Sequence, residues 1–222
     1  MFCKSSQPGY AKTRWGAVIG YELAARASAL FQATLARRFG RMADVRTMMY
    51  TPGERRAEFE ALAGGEWRLC PQVAGDLGQR LTSAANQLAR DGERLVFIGS
   101  DSPDLPASYL ITAFATLQSQ DVVIGPSSDG GYYLIGMRTA YHSIFAGIPW
   151  STPQVLDATR CRLREAGIGF ELLPEWYDVD DETGWQRFIG GLGRPDSEIP
   201  AELEAEYRRI ELAIRTGGAG NA

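Results

Sequence analysis

Lysine is almost missing from this chain. Of 23 basic residues only Lys4 and Lys12 are lysines, the remaining twenty-one being arginines. Three cysteines, Cys3, Cys70 and Cys161, lie far apart and form no CxxC, which excludes a zinc ribbon or a disulfide framework and fits free thiols in a reducing compartment. A single histidine, His142, rules out a His-rich zinc site and leaves oxygen ligands, hence Mg²⁺ or Mn²⁺ if a metal is used. It also lies in no nucleophile context that a serine hydrolase would need. A formal net charge of -4 gives no overall field to attract nucleic acid or an anionic membrane. No apolar run approaches the ~20 residues of a membrane span, and no signal peptide precedes the first motif, so a cytoplasmic protein is expected. There is no Gly-x4-Gly-Lys phosphate loop, no internal repeat and no linker. At 222 residues the expectation is a single domain over 1–222.

What is present is organised around Leu95-Val96-Phe97-Ile98-Gly99-Ser100-Asp101. Four large apolar residues in a row predict a strand buried on both faces of a parallel sheet, with the glycine turning the backbone out of it. Asp101 then stands at a strand's carboxyl end, where open α/β sheets bind ligands and a carboxylate can hold a hard cation against a phosphate. Asp104 and Pro106, by contrast, read as the start of the helix that follows.

Before that strand, Met1 to Lys4 make a very short first strand, either a stub or the end of one that begins upstream. The loop Ser5 to Arg14 carries a Pro8-Gly9 turn and then Lys12, Thr13 and Arg14. Its cations either reflect composition alone or, with Lys4, gather round a di- or triphosphate, Lys as a point charge and Arg as a fork. Periodicity predicts a helix over 21–39, a strand at 45–50, a short charged helix over 54–62 and a strand at 67–70. Asp76 precedes a further amphipathic helix, either as its N-cap or as a contact to the base or ribose, and Arg80 meets an anion or faces water. After a strand at 121–126, Asp129-Gly130-Gly131 forms either a plain hairpin turn or a place where substrate meets the backbone closely. Trp150 walls an acceptor pocket or plugs the core, and Ser151 or Thr152 caps the next helix, which runs to about 166 before a strand at 168–173. In the acidic run 178–182, Asp180 or Asp181 serves as a helix cap, whereas alternation about Val179 puts Asp178 and Asp180 on one side, where two carboxylates call for a cation. A C-terminal helix spans 201–215 and the tail 216–222 frays.

The motifs Pro8-Gly9 with Lys12-Thr13-Arg14, Gly75-Asp76-Leu77-Gly78-Gln79-Arg80, Gly99 to Leu105, Gly125-Pro126 with Asp129 to Gly136, Trp150-Ser151-Thr152 and Asp178-Val179-Asp180 occur in one order. In this the chain resembles the glycosyltransferase A-like family of transferases associated with radical-SAM and selenodomain proteins, some assigned to arsenosugar biosynthesis. Molybdenum-cofactor and 2-phospholactate guanylyltransferases are its relatives. The resemblance covers the chain up to about Trp185. It implies an α/β nucleotide-diphospho-sugar transferase fold, three layers with a mostly parallel central sheet, and a nucleotide over the first half. It also implies phosphate binding by Lys4, Pro8, Gly9, Lys12, Thr13 and Arg14, with Asp76 and Arg80 near the nucleotide. Asp101 would hold Mg²⁺ or Mn²⁺, with Asp178 or Asp180 completing the metal site. Asp129, Gly130, Gly131, Tyr132 and Trp150 would face the donor sugar or the acceptor, and catalysis would rest on Asp101, Lys12 and Asp129. The chain departs from the pattern in its short first strand, in Trp15 where Leu is usual, and in Asp181-Glu182-Thr183.

The activity so implied is transfer from a nucleotide sugar to a small-molecule acceptor. The same machinery would serve nucleotidyl transfer from an NTP to a phosphorylated small molecule, with release of pyrophosphate. A nucleotide-binding protein without turnover is the third reading. Nucleobase, sugar, acceptor and oligomeric state are not encoded in any motif, and the exact reaction rests on analogy.

Overall fold

A computed structural model of the protein describes residues 1–217. The chain forms two compact units: one built from Phe2–Cys70, Ser100–Leu105 and the segment from Val179 onward, the other from Met1, Pro71–Gly99 and Pro106–Asp178. The tail beyond residue 217 lies outside the described residues, and Thr216 and Gly217 belong to the last helix rather than to a frayed end.

The first unit holds a three-stranded sheet in the order β1 (Phe2–Lys4), β2 (Thr47–Thr51), β3 (Arg68–Pro71). Strand β1 is only three residues long, as its sequence predicts, yet it is fully paired: it runs parallel to β2, Phe2 opposite Met49 and Lys4 opposite Thr51. Ser5 extends the ladder by donating its N–H to the Thr51 carbonyl at 2.8 Å, so the loop that follows is anchored despite the short strand. That loop runs directly into a helix that periodicity did not suggest, α1 (Thr13–Ile19). Helix α2 (Tyr21–Arg38) turns one face inward, with Ala24, Ala27, Phe31 and Leu35 at most 1% exposed. Phe31 belongs to an aromatic cluster with Trp15, Trp185, Phe188 and Tyr207, whose neighbouring ring centroids are 4.6 to 6.3 Å apart. Full burial contributes about 1.5–3 kcal/mol for a Phe-sized side chain, so this cluster is the main anchor of α7 (Glu182–Gly191) and α8 (Ala201–Gly217) on α2. Helix α3 (Arg56–Ala63) packs against β2 through Phe59, which stacks on Tyr50.

The second unit holds a four-stranded sheet ordered β4 (Leu95–Ile98), β6 (Tyr132–Met137), β5 (Val122–Pro126), β7 (Phe170–Leu172). Strands β5 and β7 are parallel, while β6 is antiparallel to both β4 and β5. The reason is the length of the β5–β6 connection: Ser127–Gly131 is too short for the crossover that a parallel pair requires. Helix α4 (Leu77–Leu88) opens on a complete capping box, Asp76 accepting from the Gln79 N–H at 2.8 Å and the Gln79 side chain accepting from the Asp76 N–H at 3.0 Å. Helix α5 (Ala107–Thr116) has Pro106 at its N-cap position and no side-chain cap. Helix α6 (Val155–Glu165) begins later than Ser151 or Thr152 would place it. Ser151 adopts φ 63°, and the Thr152 hydroxyl is engaged with the Pro149 carbonyl and the Gln154 N–H, so the N-cap position falls to Gln154 without a side-chain bond. Among the described residues no helix is long and apolar enough to cross a membrane.

Candidate functional site

The loop after β1 ends at Lys12, whose backbone is left-handed at φ 51° and ψ 38°, a conformation that bends the chain into α1. This turn sends the Lys12 side chain inward, where it is 3% exposed, and brings its ammonium onto two carboxylates. Nζ pairs with Asp101 Oδ1 and lies 2.6 Å from Asp180 Oδ1. The Phe31 ring lies beneath it, 5.4 Å from Nζ to the centroid, adding a cation–π contact. Burial opposes the lysine's charge, but Asp101 and then Asp180, by charge and by hydrogen bond, outweigh it and hold the ammonium above the ordinary lysine range.

The two carboxylates meet through the backbone. The Val179 N–H donates to the Asp101 carbonyl at 2.8 Å, and Val179 is fully buried, so the residue after it faces outward beside Asp101. Arg38, 4% exposed at its side chain, fixes the other side by donating to the carbonyls of Pro103 and Leu105 and pairing with Glu198. Asp181 caps α7 through the Gly184 N–H at 2.9 Å, leaving Asp180 for Lys12. Asp101 and Asp180 remain 46% and 42% exposed, so each keeps a solvent-facing side while sharing one ammonium. Arg14 approaches Asp180 Oδ2 at 3.6 Å from an almost fully exposed position, a weak and screened contact.

Other residues of the loop stand elsewhere. Lys4 is exposed at the end of β1, and Gly9 takes φ 81° in an exposed turn. Pro8, Ser6 and Gln7 border a cleft of about 510 Å³ with residues of α2 and of 54–58. Glu58 reaches this loop, accepting from the Ser6 N–H and the Ser5 hydroxyl, both at 2.7 Å. Nothing in the sequence marks Glu58 or Arg38 as loop supports, since both lie on helix faces that read as solvated. Phe31 was legible only as core.

In the second unit the remaining candidates engage their own neighbourhoods. Asp76 is occupied as the α4 cap, and Arg80 folds back, its Nε donating to the Gly75 carbonyl at 2.9 Å. Asp129 accepts from the Gly131 N–H at 2.9 Å, the bond of an Asx turn. Gly130 sits at φ 88° with the Pro153 carbonyl so close that an added Cβ would fall 2.2 Å from it, so chain packing alone already demands this glycine. Tyr132 packs edge-on against Trp150 at 6.2 Å, and burial pushes its phenol pKa up. A Cβ on Gly78 would fall 2.6 Å from the Trp150 indole nitrogen, so Trp150 seals the start of α4. Asp178 accepts from the buried Ser127 hydroxyl at 2.9 Å. Among the described residues no three His, Cys, Asp or Glu side chains gather as a ready metal centre.

The chain shares the nucleotide-diphospho-sugar transferase fold with a solved relative. The fold is closely matched by the crystal structure of a provisionally assigned nucleotide-diphospho-sugar transferase from Desulfovibrio desulfuricans G20, at 32% identity and a TM-score of 0.85, over 97% of this chain and 95% of that one. Residues 34–152 match the family described as "uncharacterized protein conserved in bacteria (DUF2064)", and the chain belongs to that family. More distant likenesses, of fold alone, are to CMP:2-keto-3-deoxy-manno-octonic acid synthetase complexed with CTP (11% identity, TM-score 0.52, 71% and 85% of the two chains) and to Rv0371C of Mycobacterium tuberculosis H37Rv complexed with manganese (18%, 0.50, 73% and 86%). No curated protein matches the sequence.

Proposed function

We propose that the protein is a divalent-cation-dependent transferase that takes a nucleotide-diphospho-sugar as donor and a small molecule as acceptor. The observation that carries this reading is the convergence of Asp101 and Asp180, each half exposed, on a single cationic atom. Their oxygens are the donor type that Mg²⁺ or Mn²⁺ prefers, so the pair fits such an ion. A divalent cation held there would supply charge stabilisation for a departing diphosphate. Asp101 and Asp180 would hold it, Lys12 would place its ammonium against a phosphate, and the exposed Arg14 would add a fork at the rim. The Arg38 bonds to Pro103 and Leu105 keep the Asp101 loop preorganised, so that little reorganisation accompanies charge development. The Desulfovibrio relative supports the donor class, and the manganese bound by Rv0371C supports the cofactor.

The same residues would serve attack of a phosphorylated acceptor on the α-phosphate of an NTP, and the fold likeness to a CTP-bound synthetase favours keeping this second reading. A thermal-shift screen of UDP-, GDP-, ADP-, dTDP- and CDP-sugars and the matching NTPs, each with and without Mn²⁺, separates the two. A ligand at 100 times its Kd adds about 2.7 kcal/mol of stability, enough to move the midpoint visibly. Stabilisation by one nucleotide sugar, only with Mn²⁺, is the expected result. A shift with NTPs alone assigns nucleotidyl transfer, and no shift with any of them removes the nucleotide reading.

A further inference from the structure

Lys12 and its partners invert the usual arrangement of a phosphate-binding lysine. The cation is buried, whereas the two anions that hold it are almost half exposed. Its left-handed backbone is unfavourable for a residue with a Cβ and persists only where the surroundings impose it. Here the surroundings are the two carboxylates and the Phe31 ring.

We propose that the Lys12 ammonium is the resident counter-ion of the Asp101–Asp180 pair and competes with the divalent cation for the same oxygens. This rests on the cation role proposed above for those two residues. The charges decide it. Two carboxylates balanced by one ammonium carry a net charge of about -1, but an ammonium and a divalent ion on the same oxygens would crowd three positive charges within a few ångströms of one another. Lys12 must therefore leave the pair before a divalent cation is held there. Once released, its ammonium is free for the anionic diphosphate, so cation and nucleotide each favour the binding of the other. Arg14 does not substitute for Lys12 in this, because it touches only the outer oxygen of Asp180 from solvent.

The consequence runs against intuition: removing a positive charge from the phosphate loop strengthens cation binding in the absence of nucleotide. Mn²⁺ is titrated calorimetrically into the full chain as wild type, Lys12→Met, Lys12→Gln and Asp101→Asn, with circular dichroism melts on each. Both lysine variants should fold, since Asp101 and Asp180 stay hydrated, and Lys12→Gln retains a polar group if Met is not tolerated. The expected result is Mn²⁺ affinity about tenfold or more above wild type in the lysine variants, and none in Asp101→Asn. Equal or weaker affinity in the lysine variants, with binding still lost in Asp101→Asn, overturns the competition and leaves the cation role standing. Absence of Mn²⁺ binding in wild type and lysine variants alike overturns both.

Discussion

The acidic loops at 101 and 129 both follow an apolar strand, and both carry an aspartate next to small residues. They differ in what the carboxylate does. Asp129 turns back on its own chain, taking the Gly131 N–H two residues away. Asp101 finds no such local donor and reaches instead a lysine 89 positions earlier, shared with Asp180, which lies 168 positions from that lysine. A carboxylate that closes its own turn commits one oxygen to local geometry. One whose partner is a side chain from a distant loop can exchange that partner for a ligand.

The largest effect separates the two loops by chemistry. Asp101→Asn should lower transfer from the donor found in the screen by about 100- to 1,000-fold in a chain that stays folded, with some loss of stability because Lys12 keeps only Asp180 as its counter-charge. A loss under tenfold would remove Asp101 from the catalytic machinery. Next in size is the support beneath the lysine. Phe31→Ala opens a cavity under Lys12 and should cost about 3–5 kcal/mol in urea unfolding, whereas Phe31→Leu, which keeps most of the packing, should cost far less. Similar costs for the two would show that the ring's electrons, not its volume, matter most.

Smaller still is the turn itself. Asp129→Ala and Asp76→Ala each remove one local hydrogen bond and should each cost about 1 kcal/mol of stability. The pH dependence sharpens the contrast without changing any contact. Because the Lys12 pKa is raised on folding, its pairing is fully present below the ordinary value of 10.5 and is lost as pH rises through the higher folded value. The stability gap between wild type and Lys12→Met should therefore stay level from about pH 6 to about pH 9 and close only in stronger alkali. A gap that closes already near neutrality would mean that the lysine is not held as an ammonium by the two carboxylates.

The features legible in the sequence were those written locally. The Asp76 capping box, a strand over the apolar run ending at Gly99, the helix expected over 21–39 and a cap at Asp180 or Asp181 all depend on residues a few positions apart, where periodicity and capping chemistry operate. The parallel, doubly buried setting expected of that strand is corrected: β4 stands at an end of its sheet, antiparallel to β6, with Leu95 and Val96 half-buried. Helix α1 was not legible, because seven residues give barely two turns and its entry depends on a left-handed lysine. The α6 cap was misplaced for a related reason: Thr152 is drawn into a turn with Pro149 before the helix begins. Within the site, Asp101 and Lys12 were recognisable as chemistry-bearing residues, but their meeting was not, since it depends on the Val179 N–H bond to the Asp101 carbonyl, between residues far apart in the chain. Asp178 and Asp180 looked equivalent on alternation alone, yet Ser127 takes one and Lys12 the other.

The most direct test is calorimetric titration of the nucleoside diphosphate of the best donor into wild type and Asp101→Asn, each with and without Mn²⁺. Binding that requires Mn²⁺ in wild type and disappears in Asp101→Asn is the result predicted here. Equal affinity in all four titrations would contradict a cation-dependent site at Asp101.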